Sequence, residues 1–512
     1  MVHRWRASLV TESCATAALL AVVALVLGWR GGDWPAQLYR VDLFQRVGFT
    51  QWDNYWYAGH HAPGYSLLYP PVAAVFGITV TAVASAVAAT WCFALLARDR
   101  LPAARLASMV FAAGTVTNIA VGRLTFALGL AIGMAAVLAM SLDRRGLAVA
   151  LGIATVLASP VAGVFVMVAA AARWTLSVVL TAGLALVVIG LAFPEGGTFP
   201  FGLEAFVVTA AVGVLAVVLL PARYRTLRIG GALYVAAAVA TVVVPNPLGA
   251  NVTRLGMYTA APIAVGVLWP SRRRVAALLA GPLLAWQWLP AADGMFTAGR
   301  DLSSDPAYYS GVLAELGRLS PTRIEIPFTK HHWETAYVAD RFPLARGWER
   351  QLDIGTNPVF YDGTLTASTY RAWLDDNAVE YVALPDTSLD DSSVIEGSLL
   401  QAGVPGLEPV WHDDHWQLWR VTTAKPLVEG PAHLVELGVD DFTLQVDQPG
   451  DVVVRIHYSS HWDVDGPGCA VPTAENWTRV RFPDAGTFRV RQVVSRWLPF
   501  EPDRFTDCPP AN

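Results

Sequence analysis

Residues 33–71, DWPAQLYRVDLFQRVGFTQWDNYWYAGHHAPGYSLLYPP, decide how this chain is read. On either side, up to about Pro290, the sequence is dominated by Ala, Val, Leu and Gly. Joining two apolar helices needs only a short turn. This stretch instead gathers Asp33, Asp42, Asp53, Arg40, Arg46, His60, His61 and a dense set of Trp and Tyr at the edge of an apolar region. Ionisable groups are costly in that setting, so they mark a site.

Working outward, composition sets the class. At 512 residues, 54% hydrophobic and 15% charged, the chain is not an ordinary soluble protein. Up to Pro290, apolar runs alternate with Arg clusters or Pro/Gly turns, and about 20 apolar residues cross a hydrocarbon core. After Asp293 the apolar runs give way to strand-length segments, acidic residues and Trp. The expected fold is a polytopic α-helical membrane domain over 1–292, with a large first outer loop at 30–70. An α/β module over 293–425 and a small β-sandwich over 426–512 follow. The net charge of -5 gives no reason to invoke nucleic acid. With no Walker loop, dinucleotide glycine motif or G-x-S-x-G elbow, nucleotide-driven work has no support.

Arginine placement orders the helices. The first apolar run, Thr11 to Trp29, follows His3, Arg4 and Arg6 without a convincing cleavage site, so it reads as a retained anchor with a cytoplasmic N-terminus. Arg98/Arg100/Arg105, Arg144/Arg145, Arg173, Arg223/Arg225/Arg228 and Arg272/Arg273/Arg274 read as cytoplasmic. The spans are then 11–29, 71–96, 102–121, 124–142, 146–158, 160–172, 175–193, 204–221, 229–245, 254–269 and 275–291. Ser159-Pro160 is read as a hairpin, because a single helix there leaves the later Arg clusters on the wrong side. About eleven spans of a plasma-membrane protein place the C-terminal half outside. Loop 30–70, turn 118–123, Ser159-Pro160, 194–201 and 245–255 then share the outer face, carrying Asn118, Arg123, Glu195, Asn246, Asn251 and Arg254. Cys469 and Cys508 are a candidate disulfide pair in an oxidising compartment, whereas Cys14 and Cys92 lie in apolar runs. His331-His332-x-Glu334 lacks zinc spacing and reads as a solvated edge or a substrate rim.

The motif W-x-x-x-W-Y-x-G-x-x-x-P-G-Y followed by Y-P-P is carried by Trp52, Trp56, Tyr57, Gly59, Pro63, Gly64, Tyr65, Tyr69, Pro70 and Pro71. With acidic residues ahead of it in the same loop, it resembles the GT-C superfamily of integral-membrane glycosyltransferases. The closer likeness is to bacterial members, actinobacterial ones included, of undefined specificity. HYSSHWDVDG, residues 457–466, is similar to a hairpin in the terminal β-module of related membrane proteins. The resemblance implies transfer of a sugar from a polyprenyl-phosphate donor to an envelope glycan or lipid acceptor outside the cytoplasm. It implies a first-loop carboxylate as base, Asp42 or Asp53, with the alternative that each caps a helix. Arg123 and Arg254 are the expected phosphate contacts, the alternative being headgroup anchoring. His60, His61, Tyr65, Tyr69, Asn118, Glu195 and Asn251 complete the expected substrate surface, although Trp and Tyr also populate any membrane interface. The loop has no adjacent pair of acidic residues, which leaves a divalent metal open. The rival readings are a transporter or flippase and a non-catalytic scaffold for envelope polysaccharide assembly.

Overall fold

A computed structural model describes residues 2–194, 197–319 and 322–493, with side chains from Ser8 onward. The chain divides into two compact units. The first comprises Met1–Val41, Gly64–Arg300 and Arg350–Leu352; the second comprises Asp42–Pro63, Asp301–Glu349 and Asp353–Asn512. The expected boundary near 292 therefore falls at Arg300/Asp301, and the centre of the first loop groups with the second unit.

The first unit is helical. Its elements are α1 (Val2–Val26), the start of α2 (Trp34–Val47), α3 (Tyr69–Phe76), α4 (Ile78–Arg98), α5 (Ala104–Thr115), α6 (Thr117–Val121) and α7 (Leu124–Ser141). They continue with α8 (Arg145–Ala158), α9 (Pro160–Ala172), α10 (Leu176–Ala192), α11 (Leu203–Leu219), α12 (Arg225–Val243), α13 (Thr253–Leu268) and α14 (Arg273–Phe296). Among the described residues, six of its helical segments are long and apolar enough to cross a membrane, and four further apolar helices are shorter. Leu180, Leu191, Leu203 and Leu278 point outward with 69–77% exposure, a face suited to lipid and not to water.

Ser159 ends α8 in an extended conformation and caps α9 by accepting from the Ala162 N–H, with Pro160 at the first helical position. Thr155 before the break and Val166 after it lie at the same level: a Cβ at Gly133 of α7 would meet their Cγ2 atoms at 3.3 and 2.9 Å. The two helices therefore form a hairpin. Turns that the sequence groups are also hydrogen-bonded to one another in pairs. The Gly31 N–H donates to the Ala120 carbonyl, those of Leu67 and Leu68 to Leu157, and that of Phe199 to Asn246. Glu195 lies outside the described residues.

Among the described residues, the second unit holds three four-stranded sheets. Strands β1 (Arg323–Glu325), β2 (Val379–Pro385), β3 (Leu407–His412) and β4 (Trp416–Val421) form one, in the order β1-β2-β4-β3, with β1 parallel to β2 and the rest antiparallel. Helices Ala367–Asp376 and Val394–Ala402 contribute Tyr370, Leu374 and Leu400 to its core. The chain continues through β5 (Val428–Glu429), β6 (Ala432–Leu437), β7 (Asp441–Val446), β8 (Gly450–His457), β9 (Trp462–Val464), β10 (Cys469–Pro472), β11 (Trp477–Phe482) and β12 (Gly486–Gln492). These make sheets β10-β11-β8-β5 and β6-β7-β12-β9. Strict alternation turns Phe442, Leu444, Val452, Val454, Val480 and Val490 into one shared core. Cys469 is disulfide-bonded, and Cys508 lies outside the described residues.

Candidate functional site

The site in the first unit starts from a backbone clip. After α1, residues 31–34 lie along α6: Gly31 N–H donates to Ala120 O at 2.8 Å, Asp33 N–H to Val121 O at 3.1 Å, and Trp34 Nε1 to Ile119 O at 2.6 Å. Gly122 ends α6 with φ +93°, and a Cβ there would stand 2.3 Å from the Trp34 nitrogen, so only glycine permits this approach. The clip sets the Asp33 carboxylate beside Arg123, with Oδ2 3.9 Å from Nε, and leaves that carboxylate partly open to solvent.

Three further groups converge there. Arg254, in the first turn of α13, lays its guanidinium 5.4 Å from the Phe126 ring centroid. It lies within electrostatic reach of Arg123, Tyr65, Asp33 and Tyr258. One turn on, the Tyr258 hydroxyl donates to Asn118 Oδ1 at 2.6 Å and sits 2.8 Å from the Thr117 hydroxyl. Arg40 covers the Tyr65 ring at 4.1 Å. Helices α7 and α13 both begin at this cluster, adding the partial positive charge of their N-termini. Two buried nitrogens, Arg123 Nε and Asn118 Nδ2, have no hydrogen-bond partner among the described residues. Buried donors normally have partners, so these two suit an anionic oxygen.

Arg254 and Tyr258 also line one end of a cavity of about 740 Å³ enclosed by α4, α7, α9 and α11 to α14. Its walls are Phe, Leu, Val, Ala and Gly for most of their length.

The structure thus brings together Tyr65, Asn118, Arg123 and Arg254, and adds Asp33 and Tyr258. Asp33 stands in the quoted stretch, but only the clip to α6 makes it part of a site. The signal for Tyr258 was its place four residues after Arg254, on the same helical face. Tyr69, the first residue of α3, is buried and its hydroxyl makes no hydrogen bond among the described residues. Asn251 lies in a single turn, Gly249–Val252, with its N–H donating to Leu248 O.

Asp42, Asp53, His60 and His61 belong to the second unit. Asp42 is half-buried on α2; burial and then Asp340 push its carboxyl above the usual carboxylate range, and Arg46 opposes them. Asp53 is buried, pairs with His60 through reciprocal backbone hydrogen bonds, and accepts from the Tyr55 N–H at 2.8 Å. That is the turn-forming use of Asp. His60 stacks on Trp56, and His61 meets the Trp52 ring edge-on.

Of the motif aromatics, Trp52, Trp56 and Tyr57 are core residues of this unit, whereas Tyr65 and Tyr69 belong to the first. Trp52 is fully buried in the β-sandwich core, 5.8 Å from Trp462. Trp56 Nε1 donates to Thr335 O, and the Tyr57 hydroxyl accepts from Glu349 N–H at 2.9 Å. Gly59, at φ +110°, faces the Trp52 ring where a Cβ would stand 2.7 Å away. The HYSSHWDVDG hairpin packs on the same segment, with His457 N–H donating to Ala58 O and His457 Nδ1 3.2 Å from Gly59 O. Among the described residues, no group of three or more His, Cys, Asp or Glu is placed to hold a metal ion. No family model and no curated protein matches this chain.

Proposed function

We infer that the chain is a GT-C-like membrane glycosyltransferase. It transfers a sugar from a polyprenyl-phosphate donor to a hydroxyl acceptor of the cell envelope at the end of the helical unit that carries Asp33. The observation behind this reading is the convergence of Asp33, Arg123, Arg254 and Asn118, with Arg123 Nε and Asn118 Nδ2 buried and lacking a hydrogen bond among the described residues, while Arg254 also lines one end of an apolar cavity. In this scheme the acceptor oxygen attacks the anomeric carbon and its proton passes to the Asp33 carboxylate. The anomeric C–O bond breaks, and the lipid phosphate leaves against Arg123, Arg254 and the Asn118 amide. Asp33 replaces Asp42 and Asp53 as the proposed base, because Asp53 holds its own turn and both group with the other unit. The helices insert in the plasma membrane with the Arg-rich turns inside, as the positive-inside rule orders them.

A transporter of polar solutes needs polar groups along the whole path. Among the described residues, the charged groups of the cavity lie at its two ends, which favours a lipid.

The test is transfer of labelled sugar from polyprenyl-phosphate donors by vesicles containing the full chain. Asp33→Asn is expected to lower the rate by roughly 10²- to 10⁴-fold with folding intact. Arg254→Gln is expected to raise the KM for the donor by roughly tenfold or more. Full activity of the Asp33 variant removes the carboxylate from the chemistry. Failure of the unaltered chain with every polyprenyl-phosphate donor removes the whole reading.

A further inference from the structure

The far end of the apolar cavity is a second cationic mouth that the glycosyltransferase reading does not use. Arg100, Arg173 and Arg223 line it, each from a different inter-helix turn: after α4, after α9 and before α12. Among the described residues, none that lines the cavity is Asp or Glu. Arg100 donates to Leu96 O, Arg173 donates to Met140 O, and Arg223 lies 5.0 Å from the Tyr224 ring. Two nearby arginines off the cavity are neutralised within the chain, Arg98 by Asp99 at 3.0 Å and Arg105 by Glu12 at 2.6 Å. The cavity mouth keeps its positive charge.

Its depth is also informative. The Tyr234 hydroxyl bonds Thr253 O and Gly256 N–H, each at 3.2 Å, so the start of α13 is held level with the middle of α12. From Tyr234 back to Arg225 at 1.5 Å per residue is about 14 Å. The Tyr234 level of the cavity is therefore about half of a hydrocarbon core of about 30 Å from the start of α12, the depth of one leaflet.

We propose that this cavity seats an anionic glycerophospholipid, with its phosphate among Arg100, Arg173 and Arg223 and an acyl chain along the apolar wall toward Tyr234. Basic pockets between membrane helices recognise such headgroups, and three guanidiniums without an internal carboxylate supply the charge complement. The site goes beyond the transfer reaction and does not depend on it.

Full-length protein reconstituted in a mixture of phosphatidylglycerol and phosphatidylcholine, then re-extracted in mild detergent, tests this by native mass spectrometry of retained lipid. The unaltered chain is expected to keep about one phosphatidylglycerol per protein. The Arg100→Gln/Arg173→Gln/Arg223→Gln variant is expected to lose it at least tenfold, whereas Arg144→Gln/Arg145→Gln, on another turn at that end, keeps it. The three single variants, each expected to lose part of the lipid, serve if the triple variant does not fold. Equal retention by all variants, or retention of phosphatidylcholine at the same level, overturns the proposal. So does loss on Arg254→Gln alone, which assigns the lipid to the donor end. Absence of sugar transfer leaves this measurement intact, so the two readings fail separately.

Discussion

The flanks and the centre of residues 33–71 share a vocabulary of Asp, Arg, Tyr and Trp, yet they meet opposite surroundings. In the flanks, Asp33 stays partly exposed beside Arg123, and Arg40 covers Tyr65, at one end of an apolar helical unit. In the centre, Trp52, Trp56, Tyr57 and Asp53 are buried with side-chain polar atoms bonded inside the second unit, and buried His60 stacks on Trp56. Costly residues mark chemistry where their partners are incomplete and architecture where they are satisfied. The centre works as an inserted core element of the second unit.

The largest effect expected from that contrast is on stability. Trp52→Ala removes a fully buried ring from the sandwich core, and Phe/Trp→Ala changes of this kind cost about 3–5 kcal/mol. Denaturant unfolding followed by near-UV circular dichroism is expected to show the second unit lose that amount. A change below about 1 kcal/mol would mean that the loop merely rests on the sandwich.

A pH effect of intermediate size comes next. Burial pulls His457 down to about 4, aided by Arg323 and opposed by its hydrogen bond to Gly59 O. Burial likewise takes His61 to about 4, opposed by the Gln51 carbonyl and aided by His461. Both are neutral in the folded unit and ordinary in the unfolded chain, so their contribution is fully present above about pH 6.5. It is lost progressively as pH falls toward about 4, because the unfolded state takes up the protons first. The expected loss is on the order of 1–3 kcal/mol across that window, and His457→Gln should flatten the curve. An unchanged slope in that variant would show that other groups carry the acid sensitivity.

How much of this was legible follows from the same physics. Apolar runs punctuated by arginine mark helices directly, and the hairpin at Ser159-Pro160 is legible because charge bias has to balance along the chain. The alternating strands after Val428 announce a sandwich for an equally local reason. Nothing local says that Trp52 packs on Trp462, about four hundred residues away, because a buried aromatic carries no address for its partner. Asp33 was illegible as a site residue for a related reason. Its position depends on the clip between Gly31 and Ala120 and on the left-handed turn at Gly122, which are tertiary facts. The two stretches that carry the family resemblance, around Trp52 and at HYSSHW, prove to be neighbours in one core. A motif defined by aromatic spacing can therefore report a feature of the scaffold and not the site proposed for chemistry.

The smallest effect is the one that presses hardest on the comparison. Asp53→Asn keeps a side-chain oxygen able to accept from the Tyr55 N–H, so the turn is expected to survive at a cost of about 1 kcal/mol or less. Because that carboxylate works on its own backbone, sugar transfer by the variant is expected to stay within a few-fold of the unaltered chain, whereas Asp33→Asn loses it. Asp42→Asn tests the boundary, since burial and Asp340 already disfavour the charged form there. Removing the charge is expected to be neutral or mildly stabilising, and transfer should persist. If either variant folds with an unchanged unfolding midpoint yet loses transfer as completely as Asp33→Asn, the centre carries chemistry after all. The division of this stretch into a reactive flank and a structural middle would then fail.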